Sequence, residues 1–374
     1  MTRTIASGDR FRFRSRDLTA PWRHVDVVLA VVVGLIVVMG TAMVFSATRN
    51  LSGGAGYMMR QGLFVALGVG LMTALALVDY RRIADWWHVI YGVSLVGMAG
   101  IFTPLGAVVN GTKGWYRFGP FSLQPAEFAK LGVIIAVAAY LSQVERVDLR
   151  RLGVALGLFA VPTAMTLLQP DLGSALVFIV IAIGMLVVGG VRMRHLLVLV
   201  VLGLVAVFGI LNSGTLDDYQ KDRLTSFVTP DGQSYNVEQA QQAIGSGGLT
   251  GYGFTNGPQT RGGYVPEQET DFIFTVAGEE LGFVGAGALV VLLGLLVWRV
   301  WRVAQLASDQ LGTLICVGIM SMLLFHIFEN IGMTLGIMPV TGIPLPFVSY
   351  GGSSLMTSFA AVGLVQSVHM HRYS

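Results

Sequence analysis

Long runs of apolar residues alternate with short polar segments along the whole chain. A run of about 18 or more apolar residues can cross the hydrocarbon core of a bilayer as an α-helix. The pattern therefore predicts an all-α integral membrane protein with ten transmembrane helices. The predicted spans are 26–47, 61–78, 84–103, 126–141, 152–168, 172–189, 195–212, 272–298, 311–338 and 352–369.

The basic residues predict how these spans are oriented. With the N-terminus inside, 16 of the 24 Lys and Arg residues fall in cytoplasmic segments, as the positive-inside rule requires. Both termini are then cytoplasmic, with tails at 1–25 and 370–374 flanking a ten-helix domain at 26–369. The long polar segment 213–270 becomes a large extracellular loop between helices 7 and 8. Its aromatic residues among glycines predict that it folds back onto the bundle.

Composition excludes several classes of protein. The chain is 54% hydrophobic and only 12% charged, with a mean hydropathy of +0.69, which excludes a soluble enzyme of this length. The net charge is +3, but the arginines stand in short clusters between apolar runs. That distribution indicates membrane topology, so we expect no nucleic-acid partner. The single cysteine, Cys316, excludes an internal disulfide.

Charged residues stand before and inside the fourth predicted span, in the stretch NGTKGWYRFGPFSLQPAEFAK. Lys113 and Arg117 flank Trp115 in the loop, and Glu127 and Lys130 lie three residues apart within the span. That spacing places both on one helix face, where they can neutralise each other. A charge in a lipid-facing helix costs roughly 2.5–3.5 kcal/mol, so such residues face a partner or a cavity. The spacing fits both a structural ion pair and a partly hydrated cavity.

Two aspartates come directly before apolar runs. Asp171 in QPDLG opens the sixth span, and Asp271 in TDFIF opens the eighth. A carboxylate in this place is a favourable helix N-cap, which is the simplest role for each residue taken alone. The glycine-rich stretch between them, IGSGGLTGYGF, lacks the Gly-Lys-Ser/Thr ending of a P-loop. Its backbone amides could still cradle a lipid diphosphate.

Acidic residues crowd the approach to the eighth span, in VPEQETDFIFTVAGEELG. Because this segment lies outside in the predicted topology, we expect its acids to line the outer end of a cavity. These acids are Glu267, Glu269, Asp271, Glu279 and Glu280.

The ninth predicted span carries His326, Glu329 and Asn330 within an apolar helix. His326 and Glu329 could supply two metal ligands, but two ligands do not make a site, so polar packing is favoured. The sequence has no HExxH, CxxC or GxSxG motif, so zinc protease, redox and serine hydrolase chemistry have no support. Whether the site binds a metal is left open by the spacing.

Five motifs occur together along the chain: QPAEFAK, QPDLG, AIGSGGLTGYGF, PEQETDFIF and GIPLPFVSYGGSS. In this order and spacing they resemble the SEDS (shape, elongation, division, sporulation) family of membrane proteins. The resemblance extends from about residue 25 to the C-terminus. The short tails, the stretch NIGMTLGIMPVTGIPLPFVSYGG and the ending SVHMHR resemble the rod-shape branch more than the division branch.

The resemblance implies a ten-helix peptidoglycan glycosyltransferase of the bacterial cytoplasmic (inner) membrane. Its substrate would be lipid II, a disaccharide-peptide on undecaprenyl diphosphate, which is joined into β-1,4 glycan strands for cell elongation and shape. Its partner would be a class B penicillin-binding protein that supplies transpeptidation. The family's essential aspartate corresponds to Asp271, and its functional Glu and Lys correspond to Glu127 and Lys130.

This sequence departs from the family pattern at two places. The usual PExHTD motif appears as PEQETD, with Glu269 where histidine is common. The usual basic-Trp pair appears as KGWYRF, so either Lys113 or Arg117 fills the cationic role.

The implied reaction inverts an α-linked donor into a β-1,4 glycan, so a single in-line displacement suffices. Such a step needs a base, positive charge for the departing diphosphate and positioning of both sugars. We hypothesise that Asp271 is the base, with its pKa raised by burial or by carboxylate neighbours. The positive charge would come from basic side chains or from a divalent cation, Mg²⁺ or Mn²⁺. The residues predicted to bind substrate or diphosphate, or to line the cavity, are Glu127, Lys130, Lys113, Trp115, Arg117, Asp171, Glu267, Arg261 and Ser349.

Other functions fit parts of the same pattern. A lipid II flippase or other transporter also suits ten spans with a Glu-Lys pair in one helix. Transport predicts acids at mid-membrane depth, whereas catalysis predicts them at the outer face. A scaffold for cell-wall enzymes would not account for charges inside a span, and a division-branch polymerase differs only in its place within the family. For a polymerase we expect contact with membrane lipids and a hydrophobic groove that admits the polyprenyl tail.

Overall fold

The computed structural model describes residues 24–51, 53–109, 112–119, 121–144, 147–199, 201, 203 and 235–373. Most of these residues are helical, including 193–199. The helices with defined bounds are α1 Val27–Thr48, α2 Gly54–Leu77, α3 Tyr80–Asp85, α4 Trp87–Gly100, α5 Pro125–Leu141, α6 Leu149–Leu168, α7 Leu172–Val188, α8 Tyr235–Ser246, α9 Pro258–Gly262, α10 Ile273–Leu306, α11 Gln310–Thr334 and α12 Gly352–Met370.

Five helices, α1, α2, α6, α10 and α11, are long and apolar enough to cross a membrane. They correspond to the first, second, fifth, eighth and ninth predicted spans. The shorter apolar helices α4 and α7 correspond to the third and sixth, and α5 and α12 coincide with the fourth and tenth. The seventh predicted span, 195–212, lies largely outside the described residues, as does the tail at 1–25 except for its last two residues. A helical membrane architecture is confirmed, and the total of ten spans stays a prediction.

Aspartates begin many of these helices, which explains where they start. The side chain of each accepts a hydrogen bond from a backbone N–H in the first turn, and such a cap satisfies a donor that the helix itself cannot. These N-caps are Asp26, Asp79, Asp148, Asp171 and Asp309.

The all-α prediction was wrong for one segment, which forms a small antiparallel sheet. Its strands are β1 Gly106–Val109, β2 Thr112–Phe118 and β3 Phe121–Leu123, in the order β1-β2-β3. Trp115 pairs with Ala107 across one edge of β2, and Tyr116 pairs with Leu123 across the other. Strands this short fall below the length of the apolar runs from which the spans were predicted. The sheet closes one end of the bundle just before α5.

Helix α5 lies at the centre of the bundle. Of its 17 residues, 15 are buried, and it packs against α4, α6, α7, α11 and α12. The outer faces of α1 and α2 instead expose apolar side chains such as Val38, which is 68% exposed, and Leu67, which is 49% exposed. Apolar side chains in this position suit hydrocarbon better than water. The charges on α5 are therefore enclosed by protein.

The two ends of the described chain lie at the same end of the bundle. Asp26, at the start of α1, pairs through Oδ2 with Arg299 Nε near the end of α10, at 2.7 Å. Gln366, near the end of α12, accepts from the Asp26 N–H at 2.9 Å and donates from Nε2 to the Asp26 carbonyl at 2.8 Å. Helices α10 and α12 therefore end where α1 begins.

Helix α10 is broken by a kink at Gly282, whose φ of 64° and ψ of −165° are non-helical. The glycine-rich loop replaces the hydrogen bonds that the kink removes. The N–H groups of Tyr252 and Gly253 donate to the carbonyls of Glu279 and Glu280, at 3.1 and 2.9 Å. In return, the N–H of Phe283 donates to a loop carbonyl, that of Gly248, at 2.8 Å. These loop amides serve the kinked helix, so the suggestion that they cradle a diphosphate is not supported.

The described part of the large loop, residues 235–270, folds back onto the bundle, as its composition predicts. Helix α8 packs against α10 and α11. Gln241 Nε2 on α8 donates to the carbonyl of Leu335 at the end of α11, at 2.8 Å. The loop therefore covers the end of the bundle opposite to the two chain ends.

Candidate functional site

A cavity of about 260 Å³ opens at this loop-covered end of the bundle. Its walls come from the sheet, from the start of α7 and from the segments that precede α10 and α12. The residues that line it are Phe64, Thr112, Trp115, Ser122, Gln124, Asp171, Glu267, Thr270, Asp271, Thr341, Gly342, Pro344, Tyr350, Gly351, Gly352, Ser353 and Ser354.

The charges in the wall are all negative. Asp171, Glu267 and Asp271 line the cavity, whereas no Lys or Arg does so within the part of the chain that the structure describes. An anionic ligand would therefore need a cation in this cavity. No cluster of three or more His, Cys, Asp or Glu side chains that could hold a metal ion occurs among the described residues.

Asp271 lies in the segment between α9 and α10 and is half-buried. The residue at the helix boundary is Phe272, and no side chain caps α10 there, so Asp271 does not have the N-cap role. Its backbone carbonyl accepts a hydrogen bond from Asn330 Nδ2 at 2.8 Å. Its carboxylate faces Gly342, where an added Cβ would lie 3.3 Å from Oδ2. The backbone of Asp271 is thus held by α11 while its side chain faces the cavity wall.

Ser349 binds the backbone of the segment that carries Asp271. It is buried, donates from Oγ to the carbonyl of Thr270 at 2.6 Å and accepts from the N–H of Leu345 at 2.8 Å. The N–H of Tyr350 donates to the carbonyl of Glu269 at 2.8 Å. Ser349 is not among the lining residues, so the structure places it as a support for the segment that carries Asp271.

Asp171 is both the N-cap of α7 and a lining residue of the cavity. Its Oδ1 caps α7 by accepting from the N–H of Ser174 at 2.9 Å. Its Oδ2 accepts from Ser174 Oγ at 2.8 Å and from Gln124 Nε2 at 3.0 Å. The same carboxylate lines the cavity, so one residue links the start of α7, the start of α5 and the wall.

Glu127 and Lys130 form an ion pair inside the bundle. Lys130 Nζ lies 2.7 Å from Glu127 Oε1 and 3.0 Å from His326 Nε2 on α11. All three side chains are buried, and none of them lines the cavity. The spacing correctly indicated the pair. For the third partner, His326, the sequence favours polar packing over metal binding but does not identify Lys130 as its partner.

The remaining predicted cations lie away from the cavity wall. Arg117 and Arg261 are exposed, and Lys113 on β2 is half-buried. None of the three lines the cavity, although Trp115, between Lys113 and Arg117, does.

The five acids before the eighth span divide into two groups, so the expectation that all of them line a cavity was wrong. Glu267 and Asp271 line the wall. Glu279 is buried and accepts from Gln259 N at 2.6 Å and from Thr260 N at 2.9 Å. By accepting from these two loop amides, the Glu279 carboxylate holds the loop against the kinked helix.

Glu280 and Glu269 also lie outside the lining. Glu280 is buried and accepts from Thr255 N at 2.9 Å and from Ser46 Oγ on α1. Glu269 is half-buried, and its burial raises the pKa of the carboxyl, with a further rise from the neighbouring Glu267 charge. The acids beyond Asp271 therefore hold the loop against the bundle.

Several residues of the site were missed by the sequence patterns. Thr341 lines the wall and donates from Oγ1 to Glu329 Oε1 at 2.8 Å. Tyr350 also lines the wall, and its ring centroid lies 4.9 Å from that of Tyr57 on α2. Arg60 lies with its guanidinium carbon 5.8 Å from the centroid of Tyr57. No spacing signal distinguishes these residues from ordinary interfacial aromatics and polar turn residues.

The arrangement can perform base chemistry on a hydroxyl group. A carboxylate whose backbone is fixed on two sides faces a small cavity with both polar and apolar walls, and Phe64 on α2 supplies one of the apolar side chains. Such a site can accept a proton from an alcohol that binds in the cavity.

The chain resembles known proteins over nearly its full length. Residues 23–374 match the FtsW/RodA/SpoVE family model, described as a cell cycle protein. The chain is 36% identical over 362 residues to stage V sporulation protein E of Bacillus subtilis, covering 93% of this chain and 97% of that protein. It is 34% identical over 354 residues to the peptidoglycan glycosyltransferase MrdB of Escherichia coli, covering 93% and 94%.

A solved structure shares the fold. One chain of a peptidoglycan synthase complex that coordinates polymerization and crosslinking gives a TM-score of 0.82 at 33% identity, covering 94% of this chain and 99% of that chain. Proteins named for sporulation and for peptidoglycan synthesis match at similar identity, so the rod-shape branch stays a prediction. The match over residues 23–374 and these identities show that the chain belongs to the FtsW/RodA/SpoVE family, which is the SEDS family that its five motifs resemble.

Proposed function

We propose that the protein is a peptidoglycan glycosyltransferase that polymerises lipid II, with Asp271 as the base. One observation carries the proposal. Asp271 lies in the wall of a cavity at one end of a membrane bundle, in a chain 34% identical over 354 residues to a peptidoglycan glycosyltransferase.

The reaction needs one proton transfer and one displacement. Asp271 takes the proton from the C4 hydroxyl of the acceptor GlcNAc, and the oxygen attacks C1 of the donor MurNAc. The bond from C1 to the undecaprenyl diphosphate breaks on the opposite face, which converts an α linkage into a β-1,4 linkage. The fixed backbone of Asp271 supplies the positioning that such a step requires.

Charge balance in the cavity supports a role for a divalent cation. The wall presents Asp171, Glu267 and Asp271 without a lining Lys or Arg among the described residues, and the leaving diphosphate is itself anionic. Carboxylate oxygens are ligands of the type that Mg²⁺ and Mn²⁺ take, and a diphosphate can supply the rest of the coordination. Such a cation would stabilise the charge that develops on the leaving group.

Metal dependence can be tested directly with the purified protein. Chelation with EDTA should abolish polymerisation, and added Mg²⁺ or Mn²⁺ should restore it. Polymerisation that survives chelation would assign the positive charge to Lys113 and Arg117 instead, and the Lys113→Met, Arg117→Met double variant would then be inactive.

We further propose the membrane arrangement that the sequence predicts. Ten helices would span the bacterial inner membrane with both termini in the cytoplasm, and the cavity would open outside. The proximity of Asp26, Arg299 and Gln366 supports a common end for both chain termini. The cavity at the opposite end is then where lipid II is delivered on the outer leaflet.

The partner we propose is a class B penicillin-binding protein. A similar chain has been solved within a peptidoglycan synthase complex that couples polymerization to crosslinking. This chain would supply the polymerising half, and the transpeptidase would crosslink the strands.

A lipid II flippase is the second candidate, favoured by the buried ion pair of Glu127 and Lys130. Charged pairs in the centre of a bundle are common in translocation paths. Glycan synthesis in detergent, where no two compartments exist, distinguishes the two functions.

The central experiment replaces Asp271 with Asn in the purified protein. Glycan chains made from lipid II should fall by at least about 100-fold, the usual contribution of a general base. The matched control is Asp85→Asn, an exposed carboxylate on α3 at the other end of the bundle, which should keep wild-type activity. Undiminished polymerisation by Asp271→Asn would overturn the assignment of the base.

A further inference from the structure

Thr341 connects the cavity to a carboxylate buried in the bundle. It lines the wall, and its Oγ1 donates to Glu329 Oε1 on α11 at 2.8 Å. A threonine hydroxyl has one proton and two lone pairs. Because the proton is used toward Glu329, the hydroxyl can act only as an acceptor toward the cavity.

Thr341 also lies next to the carboxylate of Asp271. The following residue is Gly342, and a Cβ added there would be 3.3 Å from Asp271 Oδ2. Gly342 has no side chain to separate the two groups. Both residues line the same cavity, so a sugar that presents one hydroxyl to Asp271 can present a second hydroxyl to Thr341.

Packing alone does not explain why a carboxylate, that of Glu329, is buried here. It is fully buried, and its Oε2 has no hydrogen-bond partner among the residues that the structure describes. A buried carboxylate with a single neutral partner destabilises the fold. Its retention beside the cavity is explained if it serves Thr341.

We propose that Thr341 contacts substrate by accepting a hydrogen bond from the C3 hydroxyl of the acceptor GlcNAc, and that Glu329 is the positioning residue that holds Thr341 as an acceptor. This inference rests on the proposed function. C3 is the one ring neighbour of C4 that carries a hydroxyl, since C5 carries a hydroxymethyl group. The C4 hydroxyl gives its proton to Asp271 while the C3 hydroxyl is held by Thr341.

The test uses two matched pairs of variants in the purified full-length protein. Thr341→Val removes the hydroxyl at constant shape and should lower kcat/KM for lipid II roughly tenfold, about the effect of one hydrogen bond. Thr341→Ser keeps the hydroxyl and should stay within about twofold of wild type. Glu329→Leu should lower kcat/KM by the same factor as Thr341→Val. Glu329→Gln keeps an acceptor oxygen for the Thr341 hydroxyl and should be active.

Two readouts separate this role from a merely structural one. The double variant Glu329→Leu, Thr341→Val should be no worse than Thr341→Val alone, because both changes remove the same contact. Lipid II that lacks the C3 hydroxyl of GlcNAc should be used roughly tenfold less well by wild type, with no further loss in Thr341→Val.

Additive losses in the double variant, or equal losses with the deoxy substrate in wild type and Thr341→Val, would overturn the inference. If Glu329→Leu does not fold, the comparison of Thr341→Val with Thr341→Ser and the assay with the deoxy substrate still test whether Thr341 binds the C3 hydroxyl. An inactive Asp271→Asn together with a fully active Thr341→Val would refute this inference alone. An active Asp271→Asn would instead refute the base assignment in the proposed function.

Discussion

Asn330 holds Asp271 and Ile343 together through a single amide group. Its Nδ2 donates to the carbonyl of Asp271 at 2.8 Å and to the carbonyl of Ile343 at 2.8 Å. Asn330 is fully buried on α11, so one side chain fixes the two neighbouring segments that contribute Asp271 and Gly342 to the cavity wall.

Replacing Asn330 with Ala should therefore impair both polymerisation and stability. Two carbonyls lose their hydrogen-bond donor, and each buried carbonyl left without a partner lowers the free energy of unfolding by about 1–3 kcal/mol. Asp271 also loses its fixed position. We expect a fall of at least about tenfold in kcat, measured with lipid II in detergent. The control is Asn50→Ala, since the exposed Asn50 also donates to a carbonyl, that of Arg261, at 3.2 Å. Equal activity in the two variants would contradict the positioning role.

Gly342 should not tolerate a side chain. Its φ is +75°, and a Cβ would lie 3.3 Å from Asp271 Oδ2. Gly342→Ala thus combines backbone strain of about 1–2 kcal/mol with pressure on the Asp271 carboxylate, and we expect loss of activity beyond the loss of stability. Gly263→Ala is the matched control, because its φ is +64° with open space around the Cβ. Thermal unfolding should show similar losses in both, whereas only Gly342→Ala should lose polymerisation.

Sequence patterns locate long apolar helices and charge pairs within a single helix. Apolar run length placed α1, α10 and α11 correctly, because hydrophobic burial in a membrane depends on local composition. The i, i+3 rule found the pair of Glu127 and Lys130, because its partners lie on one helix.

Local sequence patterns do not predict contacts between segments that lie far apart in the chain. Ser349 binds the carbonyl of Thr270, 79 positions away, and Asn330 binds that of Asp271, 59 positions away. No local pattern encodes such a partner. Glu279 and Asp271 look alike in sequence, yet one organises a loop and the other faces a cavity. The difference depends on the kink at Gly282, where loop residues supply hydrogen bonds that a regular helix would make itself.

Gly282 should be essential for folding. Its φ of 64° and ψ of −165° lie in a region that essentially only glycine adopts. A Cβ there would also clash with the backbone of Gly251 and Leu249. Gly282→Ala should lower stability by at least about 3 kcal/mol, measured as the thermal midpoint in detergent.

The same helix offers a control for the kink. Among the described residues, no atom lies within 4 Å of a Cβ added at Gly287, which lies in regular helix. Gly287→Ala should leave stability unchanged or raise it by about 0.4–1 kcal/mol. A mild effect of Gly282→Ala, close to that of Gly287→Ala, would show that the kink is dispensable.

Asp309 should make stability depend on pH at the end of the bundle opposite to the cavity. Burial acts to raise the pKa of its carboxyl, but the Gly312 amide, the Tyr80 hydroxyl and the Arg81 guanidinium outweigh it and hold the pKa below its usual range. The contacts are 2.8 Å from Gly312 N, 2.8 Å from Tyr80 Oη and 2.9 Å from Arg81 Nε. A lowered folded-state pKa means that the unfolded chain binds the proton first as the pH falls.

The stabilisation from Asp309 is therefore complete above the unfolded-state pKa, near 3.9, and disappears as the pH falls through the lower folded-state value. Asp309→Asn should be less stable than wild type at pH 7, and the difference should shrink as the pH approaches about 3. Thermal midpoints across this range measure it, with Asp85→Asn as the matched control, because it removes an exposed carboxylate from the same end of the bundle. A difference between Asp309→Asn and wild type that stays constant down to pH 3 would mean that packing, and not the charge of Asp309, joins α3 to α11.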